Sequence, residues 1–287
     1  MYKQGLLSHD LTRYRAQLLR EERAQSTVEN YLRDARAFAA WLGGRAATKE
    51  LASAWKEQLL SQGRAPATVN AKLSAVNSLF RFLGHGEHQV KLLKLQRRAF
   101  RDSARELSLD DYRRLLDTAR QRGRVRLALL LEAVCATGIR VSEVRYITVE
   151  AARQGRTDVA LKGKVRTILL PRKLCRKLLT YAKRRGIAAG EIFSTRNGTG
   201  LCRKQIWHEM KSLCAAAGVA PSKVFPHNLR HLFAVTYYNV EKDICHLADL
   251  LGHSNVNTTR IYTLISCEMQ EQRLDGLGLV LIDTNTA

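Results

Sequence analysis

The sequence contains no Cys-x-x-Cys pair. Its six cysteines, Cys135, Cys175, Cys202, Cys214, Cys245 and Cys267, are widely scattered. That scatter argues against a zinc module or a disulfide framework and for buried, reduced thiols. No apolar run approaches the ~20 residues of a membrane span, and neither a lipidation motif nor a single basic amphipathic anchor is present. The opening stretch MYKQGLLSHD lacks a signal-peptide hydrophobic region, so a cytoplasmic protein with no membrane partner is expected. Acid is also scarce: 26 Asp plus Glu stand against 48 Lys plus Arg, for a formal charge of +22. Such an excess points to a polyanionic partner, with nucleic acid the leading choice.

A chain of 287 residues has room for about two domains with cores of their own. Residues 1–88 read as four amphipathic helices in a small bundle. Leu11, Tyr14, Leu18 and Leu19 form the first apolar stripe. Ser26, with Glu29 three residues later, predicts a capping box at the start of a second helix running through Tyr31, Ala35, Phe38, Trp41 and Leu42 to Gly43. Thr48 opens a third through Leu51, Trp55 and Leu59. Pro66 and Thr68 introduce a fourth through Val69, Leu73, Val76, Phe80 and Leu83, broken at Gly84. Residues 89–105 read as a basic linker carrying Arg97, Arg98, Arg101 and Arg105. A charge run is usually solvated surface; between two DNA-binding domains it would instead lie along phosphates.

A second domain is expected over 106–287. Ser108 caps a helix through Tyr112 and Leu116, and Arg126 to Cys135 is a strongly apolar core helix ending at Thr137 and Gly138. Asp158 to Leu161 and Val165 to Leu170 alternate as strands of a hairpin around Gly163 and Lys164. Further helices follow from Leu174 to Tyr181 and from Ile206 to Ala217, the second placing Trp207 in the core with Met210 and Leu213. Arg203 and Lys204 at its start are candidate phosphate contacts. The fold class is therefore mainly α with a small β-hairpin.

Candidate chemistry gathers between Phe225 and Tyr262. On a helix opening at Pro226, the i, i+3, i+4 spacing of His227, Arg230 and His231 stacks them on one face, with Leu229, Leu232 and Phe233 on the other side. A second helix is predicted from about Glu241, through Ile244, Leu247, Ala248 and Leu251, with Gly252 as its left-handed cap. His253 then stands just past a helix end, and Tyr262 follows nine residues later. Taken singly, each of these is usually a partly buried packing residue. His227 and His231 have the spacing of some helical zinc ligands, but Asn228 occupies the place where a zinc protease carries Glu, so no metal site is expected. Upstream, TGIRVSEV (137–144) sets Arg140 at a corner with Glu143 one turn on, which by itself reads as a surface ion pair of little worth.

In combination, His-x-x-Arg, Leu-Gly-His and a Tyr nine residues beyond resemble the C-terminal signature of the tyrosine recombinases, the phage integrase family. TGIRVSEV likewise resembles that family's first-arginine box. The resemblance implies a two-domain clamp on double-stranded DNA, with an N-terminal four-helix core-binding domain and an α+β catalytic domain. Carried over position by position, it makes Arg140 and Arg230 catalytic arginines, Glu143 the acid that holds Arg140, and Tyr262 the nucleophile. His227 would assist Tyr262 as general base and His253 would hydrogen-bond a phosphate oxygen. An exposed lysine beside a turn is normally plain surface, and Lys164 neighbours Lys162; the family keeps its catalytic lysine in a Lys-Gly pair of such a hairpin, a match that selects Lys162.

The chemistry is self-consistent. A free phenol is ionised about once in a thousand at pH 7, so a tyrosine nucleophile needs cations or a base nearby. Two fixed guanidiniums answer the charge that builds on the two non-bridging phosphate oxygens. A lysine general acid protonating the leaving 5′-oxygen supplies roughly 10²- to 10⁴-fold in rate. No cofactor is expected, because a 3′-phosphotyrosyl link keeps the phosphodiester's energy. The resemblance further implies a site-specific recombinase or integrase assembled on DNA as a homo-oligomer, expected as a tetramer, with an accessory directionality protein. The tail 268–287 would dock on a neighbouring protomer. The alternatives are a type IB topoisomerase-like enzyme and a non-catalytic helix-turn-helix regulator.

Overall fold

The computed structural model describes residues 8–95, 105–161, 164–195, 197–263 and 267–277. The chain divides into two compact units, Met1–Arg97 and Arg98–Ala287.

The first unit contains α1 (Ser8–Arg20), α2 (Gln25–Leu42), α3 (Lys49–Ser61) and α4 (Pro66–Phe82). Their stripes close two adjoining clusters, one of Phe38, Leu42, Trp55, Leu59, Leu73 and Phe80, the other of Tyr14, Leu18, Leu32 and Leu79. Phe38 lies 5.1 Å from the Trp55 ring centroid and meets Phe80 edge-on at 6.1 Å, the offset and edge geometries that aromatic quadrupoles favour. Thr48 caps α3 by accepting the Leu51 N–H at 3.3 Å, and Pro66 sits in the first turn of α4.

Two readings of this unit are corrected. Ser26 does not cap α2: the helix starts one residue earlier with Ala24 at the cap, whose carbonyl accepts from Thr27 and Val28. Glu29 instead accepts from Gln25 at 3.0 Å, an i, i+4 pair that extends the helix backward past Ser26. Leu19 is exposed, because one residue is a rotation of about 100° and Leu18 already holds the core position.

Two side chains of α4 hold the chain that follows it. Asn70 brackets Leu93, donating to its carbonyl at 2.9 Å and accepting its N–H at 2.8 Å. Asn77 does the same for Val90, at 2.9 and 3.0 Å. Each amide thus mimics a strand partner, and Val90 is buried in the first unit's core. Arg97, Arg98 and Arg101 lie outside the described residues.

In the second unit, α5 (Leu109–Gln121) opens with a full capping box: Ser108 Oγ accepts the Asp111 N–H at 3.0 Å and the Asp111 carboxylate accepts the Ser108 N–H at 3.2 Å. α6 (Val125–Thr137) is apolar almost all round and forms the centre of the core through Leu127, Leu130, Leu131 and Val134. After α7 (Val149–Gln154), β1 (Arg156–Leu161) and β2 (Lys164–Leu169) pair antiparallel, from Arg156 opposite Leu169 to Leu161 opposite Lys164. Val159 and Ile168 point into the core. Then come α8 (Arg172–Arg185), α9 (Arg203–Lys211), α10 (Cys214–Ala217), α11 (Pro226–Glu241), α12 (Ile244–Leu251) and α13 (Cys267–Asp275).

Three expectations shift here. The helix over 206–217 is two pieces, α9 and α10, separated at Ser212 and Leu213. Trp207 is 42% exposed rather than core. Ile206 and Met210, at i and i+4, take α9's buried face, and Trp207 lies one position off it under the Lys211 ammonium, 5.3 Å from its ring centroid. α12 begins at Ile244 and not near Glu241: Lys242 turns left-handed at φ 58° and Asp243 caps the new helix by accepting the His246 N–H at 2.9 Å. No helix among the described residues is long and apolar enough to cross a membrane.

Candidate active site

The site starts where α6 stops. Gly138 adopts φ 63°, and a side-chain carbon there would collide with the Phe233 ring and approach Leu251 to 3.1 Å, so both conformation and packing require glycine. The chain leaves this cap extended at Arg140, anchored by buried Ile139 on one side and Val144 on the other. Glu143 folds back onto Arg140, its Oε2 accepting the backbone N–H at 2.8 Å and its Oε1 accepting Nη1 at 2.9 Å. Glu143 is only 1% exposed. It is therefore not the weak surface partner that spacing alone suggests, since a carboxylate this deep is tolerable only when cations and N–H groups surround it. Arg166, on β2, supplies the second cation by donating Nη2 to Glu143 Oε2.

The end of α12 gathers the arginines. A helix leaves its last four carbonyls without intrahelical donors, and they carry the negative end of its dipole. Here three successive carbonyls each take a guanidinium: Leu250 accepts from Arg166 at 2.8 Å, Leu251 from Arg230 at 2.7 Å and Gly252 from Arg140 at 3.2 Å. Arg230, on α11, also donates Nη1 to the Gly138 carbonyl at 2.6 Å, which ties the end of α6 to the end of α12. It is 3% exposed, and burial followed by repulsion from Arg140 pushes its pKa down to about 10, so it stays charged at neutral pH.

His253, just past the α12 cap, lies between Arg230 Nη2 at 3.1 Å from Nε2 and Thr259 Oγ1 at 2.9 Å from Nδ1. Arginine can only donate, so Nε2 is the acceptor and Nδ1–H donates to the threonine. Burial first, then the charges of Arg230, Arg140 and Arg166, push His253 down to about 4, and the ring is neutral at pH 7. Burial and Arg230 also depress His227, in the first turn of α11. Tyr262 closes a short 3₁₀ turn, Arg260–Tyr262, and is 3% exposed among Ala234, Val235, Leu247 and Leu251. Its ring lies 6.3 Å from His253, nearly parallel, and 5.1 Å from His231, edge-on.

The structure thus brings together Arg140, Glu143, His227, Arg230, His253 and Tyr262. Lys162 lies outside the described residues. Arg203 and Lys204 are exposed in the first turn of α9 and, among the described residues, share no hydrogen bond with this group. Two participants were missed by sequence reasoning. Arg166 was given no role on its strand, and His231, weighed only as a zinc-type partner of His227 and rejected, packs on Tyr262 while its Nε2 stands 3.5 Å from the Glu106 carboxylate. Among the described residues, one group of potential metal ligands, His85, Glu87 and His88, has its ligand atoms within 4.8 Å of one another; it belongs to the first unit.

Residues 105–268 match the Phage integrase family, and residues 11–87 match the Phage integrase, N-terminal SAM-like domain. A Brucella suis protein named Tyrosine recombinase XerD is 31% identical over 283 residues, covering 88% of this chain and 90% of its own length. One of the same name from Agrobacterium fabrum is 30% identical over 295 residues, covering 88% and 87%. A solved lambda integrase tetramer bound to a Holliday junction has the same fold, with a TM-score of 0.72 at 20% identity over 88% of this chain and 76% of that one. A family match across most of the second unit, with relatives this similar along both chains, means that the chain belongs to the phage integrase family, the tyrosine recombinases.

Proposed function

We propose that this protein is a site-specific recombinase that cuts and rejoins double-stranded DNA through a 3′-phosphotyrosyl intermediate. One observation carries the reading: three guanidiniums from distant segments are held on one helix end beside a tyrosine, with Glu143 as the buried carboxylate among them. Such a pocket has a surplus of fixed positive charge, matched by a phosphodiester whose non-bridging oxygens gain charge on attack.

In this mechanism Arg140 and Arg230 bind the scissile phosphate. Tyr262 attacks phosphorus, the bond to the 5′-oxygen breaks, and Lys162 delivers the proton that the leaving hydroxyl needs. His227, kept neutral by burial, accepts the phenolic proton. A 5′-hydroxyl from another strand reverses the step without ATP. His253 donates to a phosphate oxygen in its Nε2–H tautomer, with Nδ1 then accepting from the Thr259 hydroxyl; phosphate binding favours that tautomer by taking up the Arg230 N–H that Nε2 otherwise accepts. The 3₁₀ turn carrying Tyr262 opens before attack, because a ring this enclosed cannot reach a phosphate outside its cluster.

The domain over 1–88 also binds DNA, the linker 89–105 contributes Arg97, Arg98 and Arg101 to phosphates, and Arg203 and Lys204 add contacts from α9. The lambda integrase structure holds a tetramer on a junction; on that footing this chain acts as a DNA-bound homotetramer joined through its tail, 268–287, with an accessory protein setting direction, in the cytoplasm. The test is a nicked suicide duplex made from the DNA flanking the gene. Wild-type protein is expected to form a covalent adduct, and Tyr262→Phe to bind the duplex without forming one. Wild-type protein that binds this duplex and never forms an adduct would overturn the reading in favour of a regulator.

A further inference from the structure

We infer that Arg166 is a positioning residue of the strand-cleaving site: it sets Arg140 and the end of α12 against the hairpin, and so places the phosphate-binding guanidiniums. The inference rests on the recombinase reading above. Arg166 lies on β2 opposite Val159. Its side chain is 11% exposed, against 39% for Arg140. Exposure does not set it apart, since Arg230 is only 3% exposed; what sets Arg166 apart is its pairing with the carboxylate that orients Arg140.

It holds two things at once. One arm of the guanidinium meets Glu143 Oε2, the oxygen that also accepts the Arg140 backbone N–H, and the other donates to the Leu250 carbonyl at 2.8 Å. Its two partners are thus the carboxylate that orients Arg140 and the carbonyl next to the one that orients Arg230. A planar fork suits this task, because a lysine ammonium is a point charge without fixed directions. The surroundings are shaped for its stem: Gly252 sits at φ 63°, and a side-chain carbon there would lie 2.6 Å from Arg166 Cδ. Burying a guanidinium costs more than burying an aliphatic chain of similar size, so its presence under the site calls for a role beyond packing.

The experiment uses the full chain, the same suicide duplex, and the variants Arg166→Met and Arg166→Lys. Three quantities are read: the first-order rate of adduct formation, the Kd for the duplex by mobility shift, and the His253 titration followed by the ¹³Cε1 shift of its ring. Displacing a reacting group by about an ångström costs on the order of 10²-fold, so Arg166→Met is expected to slow adduct formation ~10²-fold while Kd changes less than about threefold. Arg166→Lys keeps the charge and loses the fork, and is expected to recover part of the rate, remaining about tenfold below wild type. The His253 midpoint, about 4 in the wild type, rises in Arg166→Met because one of the charges holding it down is gone. Arg166→Lys separates the two causes: it keeps the charge and is expected to leave the midpoint near the wild-type value, whereas loosened packing would raise it in both variants.

An unchanged adduct rate in Arg166→Met overturns the inference and leaves the recombinase reading intact. So does a rise in Kd as large as the fall in rate, which would make Arg166 a DNA contact. If Arg166→Met does not fold, Arg166→Lys decides: a wild-type rate there overturns the role of the fork. A wild-type protein that forms no adduct overturns both readings together.

Discussion

Glu143 offers the most direct test of how the site is held, and one that needs no DNA. Its carboxylate accepts three hydrogen bonds, from the Arg140 backbone, the Arg140 guanidinium and Arg166. Glu143→Gln keeps the shape, removes the charge and turns one acceptor into a donor that faces other donors. Breaking a buried ion pair from one side costs about 3–5 kcal/mol. Arg140 is partly in water and screened, so the lower end applies, about 3 kcal/mol. For a unit of roughly 200 residues, where 1 kcal/mol is worth about 2–4 °C, the melting temperature should fall by about 6–12 °C. Calorimetry of wild type and variant at pH 7 measures this, and inorganic phosphate should restore part of the loss, because an anion in the pocket replaces the missing charge. A variant melting within about 2 °C of wild type would refute the claim that Glu143 neutralises buried cations, since that corresponds to 1 kcal/mol or less.

Other outcomes follow from the same geometry. Gly138→Ala should cost about 2–4 kcal/mol by urea melts, from the left-handed backbone plus the clash with Phe233, whereas Gly155→Ala, at φ 75° with open space around it, should cost only about 1 kcal/mol. His253 and His227 both have folded-state pKa values below the ordinary 6.5, so the unfolded chain takes up protons first; stability is full above about pH 6.5 and declines toward pH 4. His253→Asn should flatten that decline between pH 6.5 and 4.5 in urea titrations, and an unaltered slope would remove His253 from the account. Asn70→Ala and Asn77→Ala should each cost about 1–2 kcal/mol and speed amide exchange at Leu93 and Val90 respectively; unchanged protection would mean that the bracketing bonds do not hold this segment.

The parts legible in the sequence are those encoded within a turn or two of chain. The stripes through Phe38, Trp55, Leu73 and Phe80 predicted the helices that bury them, and Thr48, Ser108, Gly138 and Gly252 cap helices as their residue types require. Ser26 misled because a capping residue is defined by where the backbone turns, and an i, i+4 pair moved that point. Trp207 misled because its hydrophobicity says nothing of the one-residue rotation that decides between core and Lys211.

The site divides the same way. His227, Arg230, His253 and Tyr262 could be picked out from spacing along 36 residues of chain, because two helices and a turn set their local order. Neither the burial of Glu143 nor the part played by Arg166 could be. The carbonyls of Leu250, Leu251 and Gly252 are ordinary helix-end groups until packing brings up guanidiniums from segments as far as 112 residues away. Sequence alone determined the helices, their caps and the identity of the charged groups. Tertiary structure decided which of those charges share a helix end and a carboxylate, because Coulomb energies and hydrogen bonds depend on distances through space that no local pattern contains.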